Sequence, residues 1–481
     1  MSLEGSVLNY LSENENVLIS LSKDIWGHPQ LALEETYASK LIAGQLEEAG
    51  FAVKKGVAQI PTAFVASWGE GKPIIGILGE YDALPGLSQK VSTKKEPIEE
   101  GAAGHGCGHN LLGVGSLGAA LAVKEEMKKD RIKGTIRYYG CPAEETLIGK
   151  VFMAQAGVFD DIDAAICWHP MHINAIRSCS FLALNSFKLN FHGVSTHAAV
   201  APEMGRSALD GVVLTDVGVN YLREHIIQEA RIHCVITNGG LAPNVVPSYA
   251  QVWYYVRAPH RDQVDEIYSR ILDIAKGAAL MSGTTCDVEF IGGCYDVIPN
   301  DVIGRIMLEK LERIGAPRFT EEEKTFAKQL QATLSPSAVE SALRNSGLTK
   351  EEIGEPLCDK ILDRVDSLAK GRTRPASTDV GDVSYVTPTG QFATCCVPLG
   401  VALHSWQSTA SVGSTIGFKG MMLAAKTLAL TGLDLVTRPD VLRAAHNEFK
   451  KTTRGKKYVS PLPEGFTPPT KKSAPSRWRG V

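Results

Sequence analysis

At 481 residues the chain is too long for one ordinary core and fits two to three domains of about 150 residues each. Hydrophobic residues make up 44 % and charged residues 21 %, a globular balance that excludes disorder as the main state. The 50 basic and 53 acidic residues leave a net charge of -3, which argues against a nucleic-acid partner, and ten scattered cysteines suggest a reducing, cytoplasmic setting.

Apolar residues at Val7, Leu8, Leu11, Val17, Leu18, Leu21 and Ile25 recur at helical spacing and predict one amphipathic helix over 6–26. This opening lacks the basic n-region of a secretory leader. A second helix is expected at 34–49, stopped by Gly50. The run 74–79 (IIGILG) reads as a buried strand, 111–129 as a helix, and 134–140 and 163–168 as further strands around a helix near 147–157. Strand, helix, strand in this order implies an α/β domain: a mostly parallel sheet covered by helices.

The pattern changes near residue 183. Alternation over 183–191, 231–237, 250–257 and 285–291, with helical stretches at 206–224 and 262–281, predicts an inserted α+β unit: two helices on a four-stranded antiparallel sheet. The expected organisation is a catalytic domain over 1–184 and 298–449, an inserted dimerisation or lid domain over 185–297, and a loosely docked tail over 450–481. Residues 317–375 are charged and mostly helical, an elaboration of the second part. No uninterrupted apolar run reaches the ~18 residues of a membrane span, so no membrane association is expected.

Four short segments concentrate chemistry. GHGCGHN (104–110) places Cys107 and His109 two apart on a glycine-rich turn, a soft donor pair suited to zinc. A buried cysteine beside a structural histidine is the plainer reading of that pair, and a nucleotide loop lacks the required spacing. CPAEET (141–146) follows a strand with Glu144 and Glu145 adjacent, so their side chains diverge. One can hold an ion while the other takes a proton from water. A solvated acidic helix start is the alternative. His169 in CWHPMH closes a strand, with His172 a weaker candidate, and His404 lies in ALHSW after an apolar stretch. Cys107, Glu144/Glu145 and His169 follow successive strand-to-loop junctions, which a parallel sheet gathers on one edge.

Taken in order, GEYDALPG (79–86), GHGCGHN, CPAEE, WHP (168–170), STHAA (195–199), APNVVP (242–247) and ALHSW resemble the metallopeptidase family of aminoacylases, amino-acid-conjugate amidohydrolases and glutamate-releasing carboxypeptidases. The resemblance covers most of residues 7–440. It implies two divalent ions, zinc or manganese, with Cys107 bridging them and His109, Glu145, His169 and His404 completing their shells. Glu144 would be the general base and then the acid, and Asp82 a carboxylate that orients a ligand. His197 would reach across a dimer interface to stabilise the oxyanion. Asn244 and Arg257 would bind substrate, the arginine by forking onto a carboxylate.

Several positions depart from relatives. Asn110 stands where many relatives carry aspartate, Trp168 replaces a small residue, and 317–375 is longer than in the simplest members. Asp379 and Asp382 fall in a turn near the site and read either as carboxylates that orient a ligand or as structural ones. The implied activity is hydrolysis of an N-acyl or N-aroyl amino acid, with aminobenzoyl-glutamate as the best single guess. A dipeptidase or aminoacylase is the first alternative. The second is a chain that works only together with a paralogous partner, so homodimer and heterodimer both stay open. A cysteine hydrolase built on Cys107 and His109 is the reading that needs no metal.

Overall fold

The computed structural model describes residues 2–364 and 370–469, in two compact units. Of the described residues, the larger takes those up to Cys179, those from Ile298 to Arg372 and Val383–Tyr458; the smaller takes Ser180–Val297, Thr373–Asp382 and those from Val459 to 469.

In the larger unit the chain opens with α1 (Leu3–Glu13), α2 (Glu15–Gly27) and α3 (Thr36–Glu48). The single helix expected over 6–26 is two. Asn14 breaks it, because its side-chain amide donates to Tyr10 O at 2.8 Å and competes with the helical ladder. A seven-stranded sheet follows, formed by β1 (Ala52–Lys55), β2 (Phe64–Glu70), β3 (Ile74–Glu80), β4 (Gly134–Cys141), β5 (Ala164–Met171), β6 (Ala175–Ile176) and β13 (Thr389–Cys395), in the order β1-β2-β4-β3-β5-β13-β6. The four central strands run parallel, and β1, β2 and β6 are antiparallel additions. The carboxyl ends of β3, β4, β5 and β13 therefore share one edge, the usual ligand edge of such sheets.

Helix α4 (His109–Lys129) and the helix Thr415–Thr437 pack together against this sheet and are buried over most of their length. The second is long and apolar enough to cross a membrane by length and composition, yet its apolar side chains belong to the core of the unit. Gly113 lets α4 lie close on β3, since a Cβ there would meet Glu80 O at 2.8 Å. Within 317–375, α9 (Glu321–Gln331), α10 (Ala338–Ser346) and α11 (Lys350–Ile353) build a satellite core with Ile173, Ala393, Cys395 and Leu399. Further helices of this unit among the described residues include α5 (Gly149–Gln155), α8 (Asp301–Ile314), Trp406–Val412 and Pro439–Thr453.

The smaller unit is an antiparallel sheet of β8 (Ala183–His192), β9 (Arg231–Asn238), β10 (Tyr249–Ala258) and β11 (Thr285–Cys294), ordered β11-β8-β10-β9. Phe187, Leu189 and Phe191 on β8 alternate with Val252, Tyr254 and Val256 on β10 to bury one face under α6 (Ala208–Leu222) and α7 (Arg261–Ser282). A short parallel pair, β7 (Ser180–Phe181) with β12 (Thr373–Arg374), draws 373–382 into this unit. Asp382 lies in a helix (Val380–Val386) rather than the expected turn, and its Oδ2 accepts Tyr295 N–H at 3.0 Å. Of the expected tail, Phe466 stacks edge-on against Phe290 at 5.7 Å, and 470–481 lie outside the described residues.

Candidate metal centre

The loop after β3 carries Asp82 and, further on, Cys107. Gly108, in the left-handed region at φ 79°, turns the chain into α4 directly beneath His109. The turn after β4 carries Glu144 and Glu145, and His169 sits in the last part of β5. His404 lies beyond β13 in a left-handed backbone conformation (φ 63°), and its N–H donates to Gly106 O at 3.0 Å.

These side chains converge. Cys107, His109 and His169 offer donor atoms within 4.8 Å of one another, and so do Cys107, Glu145 and His404. Cys107 belongs to both sets, so one thiol stands between two three-donor clusters. A third set joins Glu80, His109 and Glu144. His172 enters none of the sets found among the described residues. Cys107 Sγ is 3.5 Å from His169 Nε2, and His404 Nε2 is 3.2 Å from Glu145 Oε2.

The imidazoles are oriented by their outer nitrogens. His109 Nδ1 lies 2.8 Å from Asp82 Oδ1, and His169 Nδ1 lies 2.8 Å from Pro170 O. Each ring thereby turns Nε2 inward, as metal-binding histidines usually do. Burial, then Arg177, hold the His169 pKa well below the ordinary value, so this ring is neutral with an available lone pair. Burial opposes charge on His109, yet Cys107 and Asp82 together raise its pKa well above the ordinary value. Asp82 is fully buried; burial alone would raise its pKa, but His109 outweighs this and lowers it. Its second oxygen accepts Glu145 N–H at 2.8 Å, tying the β4 turn to the same carboxylate.

The residues present fit divalent ions. His109 Nε2 and Glu145 Oε1 are buried and have no hydrogen-bond partner among the described residues, and a shared thiol with three imidazoles and a carboxylate suits a borderline-soft metal. The fit also weakens the metal-free cysteine reading. Burial, then Glu145, push the Cys107 thiol well above its usual pKa, the wrong direction for a free thiolate nucleophile.

Three features were not read from the sequence. Glu80 Oε1 pairs with the fully buried Lys150 at 2.7 Å, while Oε2 lies 3.4 Å from His109 Nε2. Glu80 sits two residues before Asp82 at a strand end, and that spacing on one sheet face was the available signal. Lys150 offers no such signal, because a lone lysine in a helical stretch reads as surface. The third is Glu35, buried beneath the β4 turn. Asn110, where many relatives carry aspartate, donates to Ser22 Oγ at 3.1 Å on α2.

His197, Asn244 and Arg257 belong to the smaller unit. The His197 segment pairs with the 242–247 segment through the bridge His197↔Val245 and an Ala198 N–H to Asn244 O bond of 3.0 Å. His197 and Asn244 are both exposed. Arg257 is half-buried on β10 above the Tyr255 ring, and its Nε is buried without a hydrogen-bond partner among the described residues.

Comparison with known proteins fits this geometry. The chain is 42 % identical to one of the subunits of p-aminobenzoyl-glutamate hydrolase from Escherichia coli, over 93 % of its own length and 95 % of that protein. The chain belongs to the M20 metallopeptidase family. Residues 183–280 match the peptidase dimerisation domain of M20 proteins. The human Xaa-Arg dipeptidase is 28 % identical over 94 % of this chain and 92 % of that protein. A dinuclear metal-binding M20 peptidase from Bacillus subtilis shares the fold, with a TM-score of 0.58 and 17 % identity over 89 % of this chain and 99 % of that one. The chain is thus an M20 metallo-amidohydrolase with a mixed α/β unit and an M20 dimerisation domain.

Proposed function

We propose that this M20 hydrolase cleaves the amide bond of an N-aroyl amino acid, p-aminobenzoyl-glutamate first among candidates. The observation that carries the reading is Cys107, common to two donor sets that hold one histidine pair and one carboxylate–histidine pair. The relative at 42 % identity over nearly the whole chain suggests the substrate.

In this reading Cys107, His109, Glu145, His169 and His404 hold two zinc or manganese ions. Bound by these residues, such ions would supply an acidified water and a Lewis acid toward the amide carbonyl. Glu144, beside His109 and Glu80, accepts the water proton as the water oxygen bonds to the carbonyl carbon. It then passes that proton to the amine nitrogen as the carbon–nitrogen bond breaks. Asp82 keeps His109 Nε2 facing inward throughout. Arg257 and Asn244 hold the amino-acid carboxylate, and a partner's copy of His197 donates to the developing oxyanion.

The partner is a second copy or a paralogous chain. The Escherichia coli relative is by name one subunit of its hydrolase, and the other named subunit of that enzyme is also similar to this chain, which favours the paralogue. The exposed apolar residues Val213, Val217 and Tyr221 on α6, with Val235 and Ile236 on edge strand β9, give the smaller unit a surface for either. A Cys107 thiol that must stay reduced to bind metal supports a cytoplasmic setting.

The test is release of p-aminobenzoate by the purified chain with zinc, with manganese and after chelation, alone and mixed with a paralogous partner chain. Metal-dependent release that Glu144→Ala abolishes is the expected result. Cleavage of Xaa-Arg dipeptides but not p-aminobenzoyl-glutamate would replace this substrate with the one in the name of the human relative.

A further inference from the structure

Glu35 is fully buried and takes no part in the reaction set out above. It stands just before α3, and its carboxyl is spent on the main chain. Oε1 accepts the N–H of Leu33 at 2.8 Å and of Ala143 at 2.9 Å; Oε2 accepts the Thr62 hydroxyl at 2.9 Å. Thr62 is itself fixed, since its carbonyl accepts Tyr81 Oη–H at 2.6 Å and Ser39 Oγ–H at 2.8 Å.

Ala143 opens the turn that carries Glu144 and Glu145, and its φ of 58° is left-handed. A residue with a Cβ holds that conformation against steric repulsion from the following carbonyl, so something outside the turn must stabilise it. Two residues on, Glu145 N–H donates to Asp82 Oδ2 at 2.8 Å. Alternate amides of the turn are therefore gripped by two buried carboxyls, from segments 108 and 63 residues away in sequence. Glu144 lies between the two grips.

We propose that Glu35 is a positioning residue of the metal centre: its carboxyl holds Ala143 in the left-handed conformation and so fixes the directions in which Glu144 and Glu145 leave the turn. The inference rests on the metal-centre reading above. Reach matters here rather than charge. Burial, then the Asp82 charge, push the Glu35 carboxyl up to about 8, so near neutral pH it is largely a protonated acid. Glutamine reproduces its length and its accepting oxygen toward Leu33 and Ala143, and its amide meets the Thr62 hydroxyl, which can accept as well as donate. Aspartate keeps the carboxyl but is about 1.5 Å too short to reach Ala143.

The experiment compares wild type, Glu35→Gln, Glu35→Asp and Glu35→Ala, each titrated with cobalt(II). It reads the visible ligand-field spectrum, cobalt affinity against a chelating dye, the thermal midpoint of the metal-free protein, and kcat and KM. Glu35→Gln should keep the wild-type spectrum and affinity. Glu35→Asp and Glu35→Ala should change the spectrum, weaken cobalt binding about 10–100-fold, as loss of an outer partner does, and lower kcat with little change in KM. Wild-type spectra and affinities in all three variants, with only a lower thermal midpoint, would overturn the inference in favour of plain packing. So would the reverse order, in which Glu35→Asp is intact and Glu35→Gln is damaged. If Glu35→Ala does not fold, the Asp and Gln pair decides; if neither shortened variant folds, Glu35 serves the fold as a whole and the positioning role fails. A wild type that binds no cobalt removes the metal reading itself, an outcome distinct from any difference among the variants.

Discussion

Adjacent glutamates in the β4 turn meet different surroundings, and the proposed division of work follows that difference. Glu145 shares a donor set with Cys107 and His404, whereas Glu144 shares one with His109 and Glu80. Removing the first should loosen the metals; removing the second should leave them bound and stop proton transfer. Glu144→Ala is expected to lower kcat by about 10²–10⁴-fold at unchanged metal content, checked by steady-state kinetics beside elemental analysis. Glu145→Ala should instead lose metal on dialysis. Glu35 gives a pH signature of its own. Its folded pKa of about 8 stands above its ordinary value of 4.5, so the folded state holds a proton that the unfolded state releases between those values. The stability this contributes is complete below pH 4.5 and is lost as pH rises toward 8. Glutamine does not titrate, so in metal-free protein the thermal midpoint of Glu35→Gln relative to wild type should climb across that window. A pH-independent difference would show that the carboxyl is not protonated in the fold.

Elements explain which parts of the site can be read from sequence. Cys107, Glu144, Glu145 and His169 stand out because few residue types ligate metals and because parallel strands deliver their carboxyl ends to one edge. Glu80, Lys150 and Glu35 do not, because their roles exist only once β3, α5 and the start of α3 have packed around the β4 turn. Strand β1 was illegible for a related reason: it is an exposed edge strand with no apolar alternation. The break at Asn14 is a local competition for one carbonyl that periodicity does not register. The helices of 317–375 were legible as helices, but their attachment was not. Asn174 holds them: its amide donates to Cys358 O at 2.9 Å and Lys360 O at 3.0 Å, while its Oδ1 accepts Cys395 N–H at 2.8 Å on β13. Gln331 Nε2 donates to Leu399 O at 2.9 Å and Gln407 Nε2 to Thr333 Oγ1 at 3.0 Å, so the end of α9 braces both sides of the loop bearing His404. Asn174→Ala removes the partner of two buried backbone groups, Cys358 O and Cys395 N–H, at about 1–3 kcal/mol each. It should lower the thermal midpoint and open 321–362 to limited proteolysis. Unchanged proteolysis would mean that the satellite core alone secures these helices.

At the scale of the whole molecule the smaller unit sets a requirement that the larger one does not. It exposes Val213, Val217 and Tyr221 four residues apart along one face of α6, at 47 %, 47 % and 68 %, beside an edge strand with unpaired backbone groups. Such a stripe is costly to leave in water and is the natural contact of a dimerisation domain. If His197 works in a partner's site, assembly and turnover are linked, because each centre lacks an oxyanion donor until two chains meet. Replacing Val217 and Tyr221 by aspartate puts two charges into that contact without touching the donor sets. The double variant should sediment as a monomer, bind metal as wild type does, and lose roughly a hundredfold or more in kcat, the loss expected for one oxyanion donor. His197→Ala should lose a similar factor while still assembling, and mixing it with Glu144→Ala should restore part of the activity, because mixed dimers hold one complete centre. A monomer with full kcat would place the oxyanion donor within the same chain; a mixture with none restored would place it there or on a paralogous partner.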